Sequence, residues 1–168
     1  MISSARGLPA AFLLSLTLIL ACEPAAKRDT ASELEAFAVR YAAAWSNQDP
    51  VAFAAFYAPD GVLRVNDGAP SAGRDAIAAT AGSFMAAFPD MLVQLDELRH
   101  TEDGIEFHWH WTGTNTGPGG NGNAVDLRGH EVWTLNSDGL IQVSLGYYDE
   151  AEYERQMAAD SSAAGPAE

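Results

Sequence analysis

Cysteine is almost missing: Cys22 is the only one in 168 residues. No internal disulfide can form, so a folded domain must stand on its packed core alone. Positive charge is scarce as well. Nine Lys and Arg face 23 Asp and Glu, for a net charge of −14. An acidic surface repels phosphate backbones, and no basic stripe exists to overcome that, so nucleic acid is excluded as a partner. Long apolar stretches are lacking too. The run from Leu8 to Leu20 is too short for a typical spanning helix and has the length of a signal-peptide core. No internal repeat shows.

What is present begins with that leader. Ile19-Leu20-Ala21-Cys22 resembles a bacterial lipobox, which makes residues 1–22 a lipoprotein signal peptide and Cys22 the lipidated residue. The alternative is an ordinary secretory signal that contains a cysteine. Either way the expected location is extracytoplasmic, with membrane contact only through the lipid anchor. Residues 23–31 read as a polar tether, 32–158 as one folded domain with one core, and 159–168 as a disordered tail.

Within the domain, Ser32-Glu33-Leu34-Glu35 has the form of a capping box, and Leu34, Phe37, Tyr41 and Trp45 follow at helical spacing. Asp49-Pro50 predicts an N-cap and first helical residue, opening a short helix through Phe53, Phe56 and Tyr57. Ala58-Pro59-Asp60-Gly61 predicts a turn before a strand from Val62 to Val65. From Arg74 the stripe Ile77, Ala81, Phe84, Met85 and Phe88 predicts a third helix, stopped by Pro89. The apolar period then changes to two. Strands are expected through Met91, Val93 and Leu95, then 105–111, 125–135 and 140–148, with a Gly/Asn-rich loop over 113–123. Helices first and strands later argue α+β with a largely antiparallel sheet.

Parity assigns faces. Ile105, Phe107, Trp109 and Trp111 share one side of their strand, and Glu106, His108, His110 and Thr112 the other. His108 and His110 could bind a metal if His130, Glu131 or His100 converged on them, but no spacing is diagnostic; the expectation is no metal and solvated or interface histidines. Glu131 stands in an apolar row with Leu127, Gly129, Trp133 and Leu135. Burial there raises a carboxyl pKa, and such an acid can hold or donate a proton to a ligand oxygen. The other reading pairs it with Arg64, Arg128 or a partner subunit. On the last strand Ile141, Val143, Leu145 and Tyr147 oppose Gln142, Ser144, Gly146 and Tyr148. If the second set faces inward, a homodimer partner is the expected cover for the first.

The segments "WSNQDPVAFAAFYAPDGV", "GRDAI", "AFPDM", "WTGTNTGPGG" and "SDGLIQVSLGYYD", taken in their order and spacing, resemble the nuclear transport factor 2-like superfamily and its SnoaL-like polyketide cyclase group. The likeness covers about residues 33–157. It implies a cone: a strongly curved, mainly antiparallel sheet packed against three N-terminal helices around a cavity. Aldol-type cyclases of that group place their acid/base aspartate where this chain has Gly146. The ketosteroid isomerase pattern puts its oxyanion tyrosine on Tyr41 and its protonated acid on Glu131, but its general base falls on Val65. Asp67 or Glu131 itself would have to replace that base. Tyr41 also has a plain reading as a packing residue with a satisfied hydroxyl.

These readings converge on a cofactor-free site for a small, largely apolar organic molecule carrying a carbonyl or hydroxyl. Phe107, Trp109, Trp111, Trp133 and Tyr148 would bind it, and Tyr41 and Glu131 would act on it by isomerisation, cyclisation or hydration. The rival is a non-catalytic binding or assembly module at the membrane surface, dimerising through Ile141, Val143 and Leu145.

Overall fold

The computed structural model describes residues 25–158, with side chains from residue 31 onward. The expected signal peptide of residues 1–22, with Cys22, and the tail 159–168 lie outside the described residues. The elements are α1 (Ala25–Ser46), α2 (Pro50–Ala54), β1 (Tyr57–Val65), β2 (Ser71–Ala72), α3 (Arg74–Ala87), β3 (Leu92–His100), β4 (Ile105–Thr114), β5 (Ala124–Leu135), β6 (Ile141–Tyr148) and α4 (Glu150–Ala158). Six strands form one sheet in the order β2-β1-β6-β5-β4-β3. Every pairing is antiparallel except β1 with β6. Register shifts interrupt three of the pairings, and such bulges bend and twist a sheet. The fold is therefore the expected α+β cone, a curved sheet with helices across its inner face.

Local chemistry accounts for the helices. Asp49 Oδ1 accepts from Val51 N and Ala52 N at 3.1 and 2.9 Å, with Pro50 at the first helical position. In α3, Ile77, Ala81 and Met85 are buried, and the helix stops one residue short of Phe88-Pro89. Where α1 ends, Ser46 Oγ accepts from Val93 N at 2.9 Å and so ties the helix to β3.

Three expectations need correction. First, α1 starts at Ala25, so Ser32 to Glu35 are helix interior rather than a capping box, and helix occupies most of the stretch read as a tether. Second, α2 stops at Ala54. Tyr57 and the Ala58–Gly61 stretch belong to β1, because Tyr57 pairs with Ile141 and Ile141 N donates to Phe56 O at 3.0 Å. Sheet pairing outweighs the helical spacing there. Third, Ile141 is wholly buried, so it belongs to the core and not to an outer apolar face. The register shift between Thr134 and Leu135 turns it inward.

The chain also makes a C-terminal helix, α4, that the sequence pattern did not predict; its inward side is confined to Tyr153 and Met157. It docks through Tyr153, which stacks on Trp111 with ring centroids 6.2 Å apart. Its last turn is held by the Gly/Asn-rich loop: Asn121 Nδ2 and Asn123 Nδ2 each donate to Met157 O at 2.7 Å.

Candidate functional site

Strand register lays out one row of side chains across the inner face. Val65 on β1 lies opposite Gly146 on β6, Gly146 opposite Glu131 on β5, and Glu131 opposite Phe107 on β4. In the next row Tyr148 lies opposite Gly129, and Gly129 opposite Trp109. Two glycines thus hollow the middle of the sheet. A methyl group on Gly129 would sit 2.4 Å from the Trp109 ring, so the indole lies across bare backbone. At Gly146 a methyl group would meet Glu131 Cγ at 3.5 Å, which is ordinary contact, so that glycine leaves open space beside the acid. The helices do not fill it. A cavity of about 60 Å³ remains, walled by Trp45 of α1, Phe84 of α3, Trp109, Trp111, Tyr148, Val65, Gly146 and Glu131 among others.

Glu131 is 6% exposed and heads a buried hydrogen-bond network. Its Oε2 accepts from Ser144 Oγ at 2.6 Å, Tyr41 Oη at 2.7 Å and Trp133 Nε1 at 2.9 Å. Tyr41 has spent its only proton on that bond. The Tyr57 hydroxyl, 2.8 Å from Tyr41 Oη, must therefore be the donor of their contact. The relay runs Tyr57 to Tyr41 to Glu131. Oε1 takes part in none of these bonds, nor is it one of the fully buried unpaired atoms, so it faces the cavity that Glu131 lines.

Burial raises the Glu131 pKa above the ordinary glutamate value, while the hydrogen bonds from Ser144, Trp133 and Tyr41 pull the other way. Burial and then the Glu131 charge raise both Tyr41 and Tyr57 well above the ordinary tyrosine value. Both hydroxyls stay protonated donors at any ordinary pH.

Of the residues read from sequence as site candidates, Trp109, Trp111, Tyr148 and Glu131 wall the cavity. Tyr41, Phe107 and Trp133 do not. All three have no exposed surface. Phe107 stacks on Trp133 with centroids 4.7 Å apart, and Tyr41 meets both rings edge-on. They buttress Glu131 from behind, where Phe37 and Tyr41 of α1 pack onto the Phe107 and Trp133 rings. Tyr57 and Ser144 are network members the sequence reading missed, as are Trp45 and Phe84 in the wall. Asp67 lies in the exposed turn after β1, away from the cavity, and Gly146 and Val65 carry no proton chemistry.

No ion pair to Glu131 forms among the described residues, and Arg128 pairs instead with Asp96. On the outer face His108 Nε2 lies 2.8 Å from Glu106 Oε2, and His110 Nε2 lies 2.7 Å from Asp126 Oδ1. Among the described residues no group of three or more His, Cys, Asp or Glu is arranged to hold a metal ion. The rings of His108, His130 and Tyr147 stack in series across β4, β5 and β6.

Solved structures share this architecture at low identity. A hypothetical protein with a ketosteroid isomerase-like fold from Catenulispora acidiphila, solved in complex with trimethylamine, is 18% identical with a TM-score of 0.63 over 74% of this chain and 94% of that one. A SnoaL-like polyketide cyclase from Jannaschia sp. CCS1 is 16% identical with a TM-score of 0.61, again over 74% and 94%. TsrD from Streptomyces laurentii is 20% identical with a TM-score of 0.64 over 79% of this chain and 98% of that one. No curated protein matches the chain. The SnoaL-like domain family matches over residues 38–143, which takes in α1 from Ala38, strands β1 to β5 and Glu131, and ends before Gly146 and Tyr148 of β6. The chain belongs to the SnoaL-like domain family of the nuclear transport factor 2-like superfamily.

Proposed function

We propose that this domain binds a small, largely apolar organic molecule in the cavity between α1, α3 and the hollowed sheet, gripping it through Glu131. One observation carries the reading: a buried carboxylate with one oxygen saturated by donors and the other left open to an aromatic-walled space. A group arranged like that is preorganised to meet a ligand atom, and ligand sites commonly combine an apolar wall with few polar contacts. At roughly 10–15 Å³ per water position, the space holds about four to six water-sized groups, which sets the ligand's scale. The complex of the Catenulispora relative with trimethylamine is compatible with that scale.

A thermal-shift panel of small ketones, lactones, epoxides and amines tests the reading. At least one compound should stabilise the wild type and lose most of its effect on Glu131→Gln. Stabilisation that is equal in both proteins would place the binding elsewhere.

Catalysis is the second reading, favoured by the open Oε1. With valine and glycine beside it in the row, Glu131 is the carboxyl group that the described residues bring to the wall for proton transfer next to a carbonyl. Two copies pairing through Val143, Leu145 and Tyr147 on the outer face, and anchoring through a lipidated Cys22, complete the proposal. Incorporation of labelled palmitate that is lost in Cys22→Ser tests the anchor.

A further inference from the structure

We propose that the ligand of this cavity is a small organic ammonium ion, held with its alkyl groups against Trp45, Trp109 and Trp111 and its charge against Oε1 of Glu131. The inference rests on the reading of the cavity as a small-molecule site and names the chemical class of the ligand.

The wall's hydrogen-bonding character decides the sign of the occupant. The protons of Tyr41 Oη, Ser144 Oγ and Trp133 Nε1 are already given to Glu131 Oε2. The indole N–H groups of Trp109 and Trp111 are buried beneath the cavity surface, with no partner among the described residues. Among the described residues no Lys, Arg or His lines the space. Apart from the Trp45 indole N–H and the Tyr148 hydroxyl, the side-chain polar chemistry that the described residues present is one carboxylate oxygen. A neutral carbonyl would bring an acceptor against that acceptor unless Glu131 were protonated. An ammonium ion brings positive charge to it.

Three donors on Oε2 stabilise the ionised carboxylate in a site that otherwise disfavours charge. The negative charge then has one accessible outlet, Oε1. Around it stand Trp45, Phe84, Trp109, Trp111 and Tyr148, contributed by α1, α3, β4 and β6. Tryptophan faces attract cations most strongly when the cation is stripped of water, and so small a space keeps any occupant close to the rings. The net charge of −14 adds a long-range field that draws cations in and repels anions. The titratable groups facing Glu131 are Tyr41 from α1, Tyr57 from β1 and Tyr148 from β6. All are raised above the ordinary tyrosine value, so none competes for the cation's charge near neutral pH.

Isothermal titration calorimetry near neutral pH tests the proposal with tetramethylammonium chloride as probe. tert-Butanol serves as neutral isostere and acetone as neutral carbonyl. Tetramethylammonium should bind at one site at least about tenfold tighter than tert-butanol. Glu131→Gln should erase that preference. Gly146→Val, which keeps Glu131 and fills the space beside it, should abolish binding of every probe and guards against a folding defect in the first variant. Equal or tighter binding of tert-butanol or acetone, still abolished by Gly146→Val, overturns the ammonium inference and leaves the cavity reading standing. No binding by any probe, or binding indifferent to both substitutions, overturns both.

Discussion

Replacing Glu131 by glutamine should change how stability depends on pH, and the sign follows from burial. The folded carboxyl titrates above the ordinary glutamate value because it is desolvated. In the window between the unfolded and folded values the folded chain keeps a proton that the unfolded chain has lost. Stability is then full below the window, falls as pH rises through it, and stays reduced above it. Each pH unit inside the window removes about 1.4 kcal/mol. For a domain of this size that corresponds to a fall in Tm of about 5 °C per unit. Glutamine has no such proton. Its amide oxygen can still accept from Tyr41, Ser144 or Trp133, so packing around Phe107 should survive. Differential scanning calorimetry of both proteins from pH 4 to 8 is the assay, since titrations elsewhere cancel in the difference. The variant should gain on the wild type as pH rises and then level off. A difference that is flat, or that shrinks toward neutral pH, would refute the claim that this carboxyl is held in a desolvated site.

Other consequences are equally direct. Tyr41→Phe removes the acceptor of Tyr57 Oη and one of the donors to Glu131. Stranding a buried hydroxyl costs about 1–3 kcal/mol, to be read from the midpoint of urea unfolding; an unchanged midpoint would show that the relay contributes nothing. Gly129→Ala forces a methyl group to within 2.4 Å of the Trp109 ring and 2.3 Å of Tyr147 O. It should shift tryptophan fluorescence, lower Tm and weaken ligand binding, whereas wild-type behaviour would mean the indole is free to move. Leu145→Asp on the outer face of β6 should turn a dimer into a monomer in sedimentation velocity. A wild type that is monomeric at micromolar concentration contradicts the outer-face pairing.

Much of this was legible in the sequence where one physical rule acts alone. Alternation along 105–111 and 125–135 fixed the faces, so the inward set of Phe107, Trp109, Trp111 and Glu131 could be named in advance. Depth was not legible. Phe107 and Trp133 face the same way as Trp109, yet Phe37 and Tyr41 of α1 cover that pair while the space beside Gly146 stays open. Nor could parity show cross-strand register. Ser144 was grouped with Gly146 and Tyr148 on one face, but its bond to Glu131 depends on β5 and β6 pairing Trp133 with Ser144. Tyr57 was hidden because Phe53, Phe56 and Tyr57 keep helical spacing after Pro50, and only the parallel pairing with β6 overrides it. Helix α4 was missed because its sequence is charged and only Tyr153 and Met157 pack inward. Trp45 and Phe84 were read as core stripe residues, which they are, on the side of the stripe that happens to meet the void.

A carboxyl carbon signal from Glu131 reports on the central claim with the least inference. In protein labelled with ¹³C at glutamate side-chain carboxyls, and assigned through Glu131→Gln, that resonance should titrate above the ordinary glutamate value. Tetramethylammonium should shift it and lower its midpoint, because the bound charge favours the ionised form. A midpoint at or below the ordinary value, or a resonance untouched by a ligand that the protein demonstrably binds, would contradict the account.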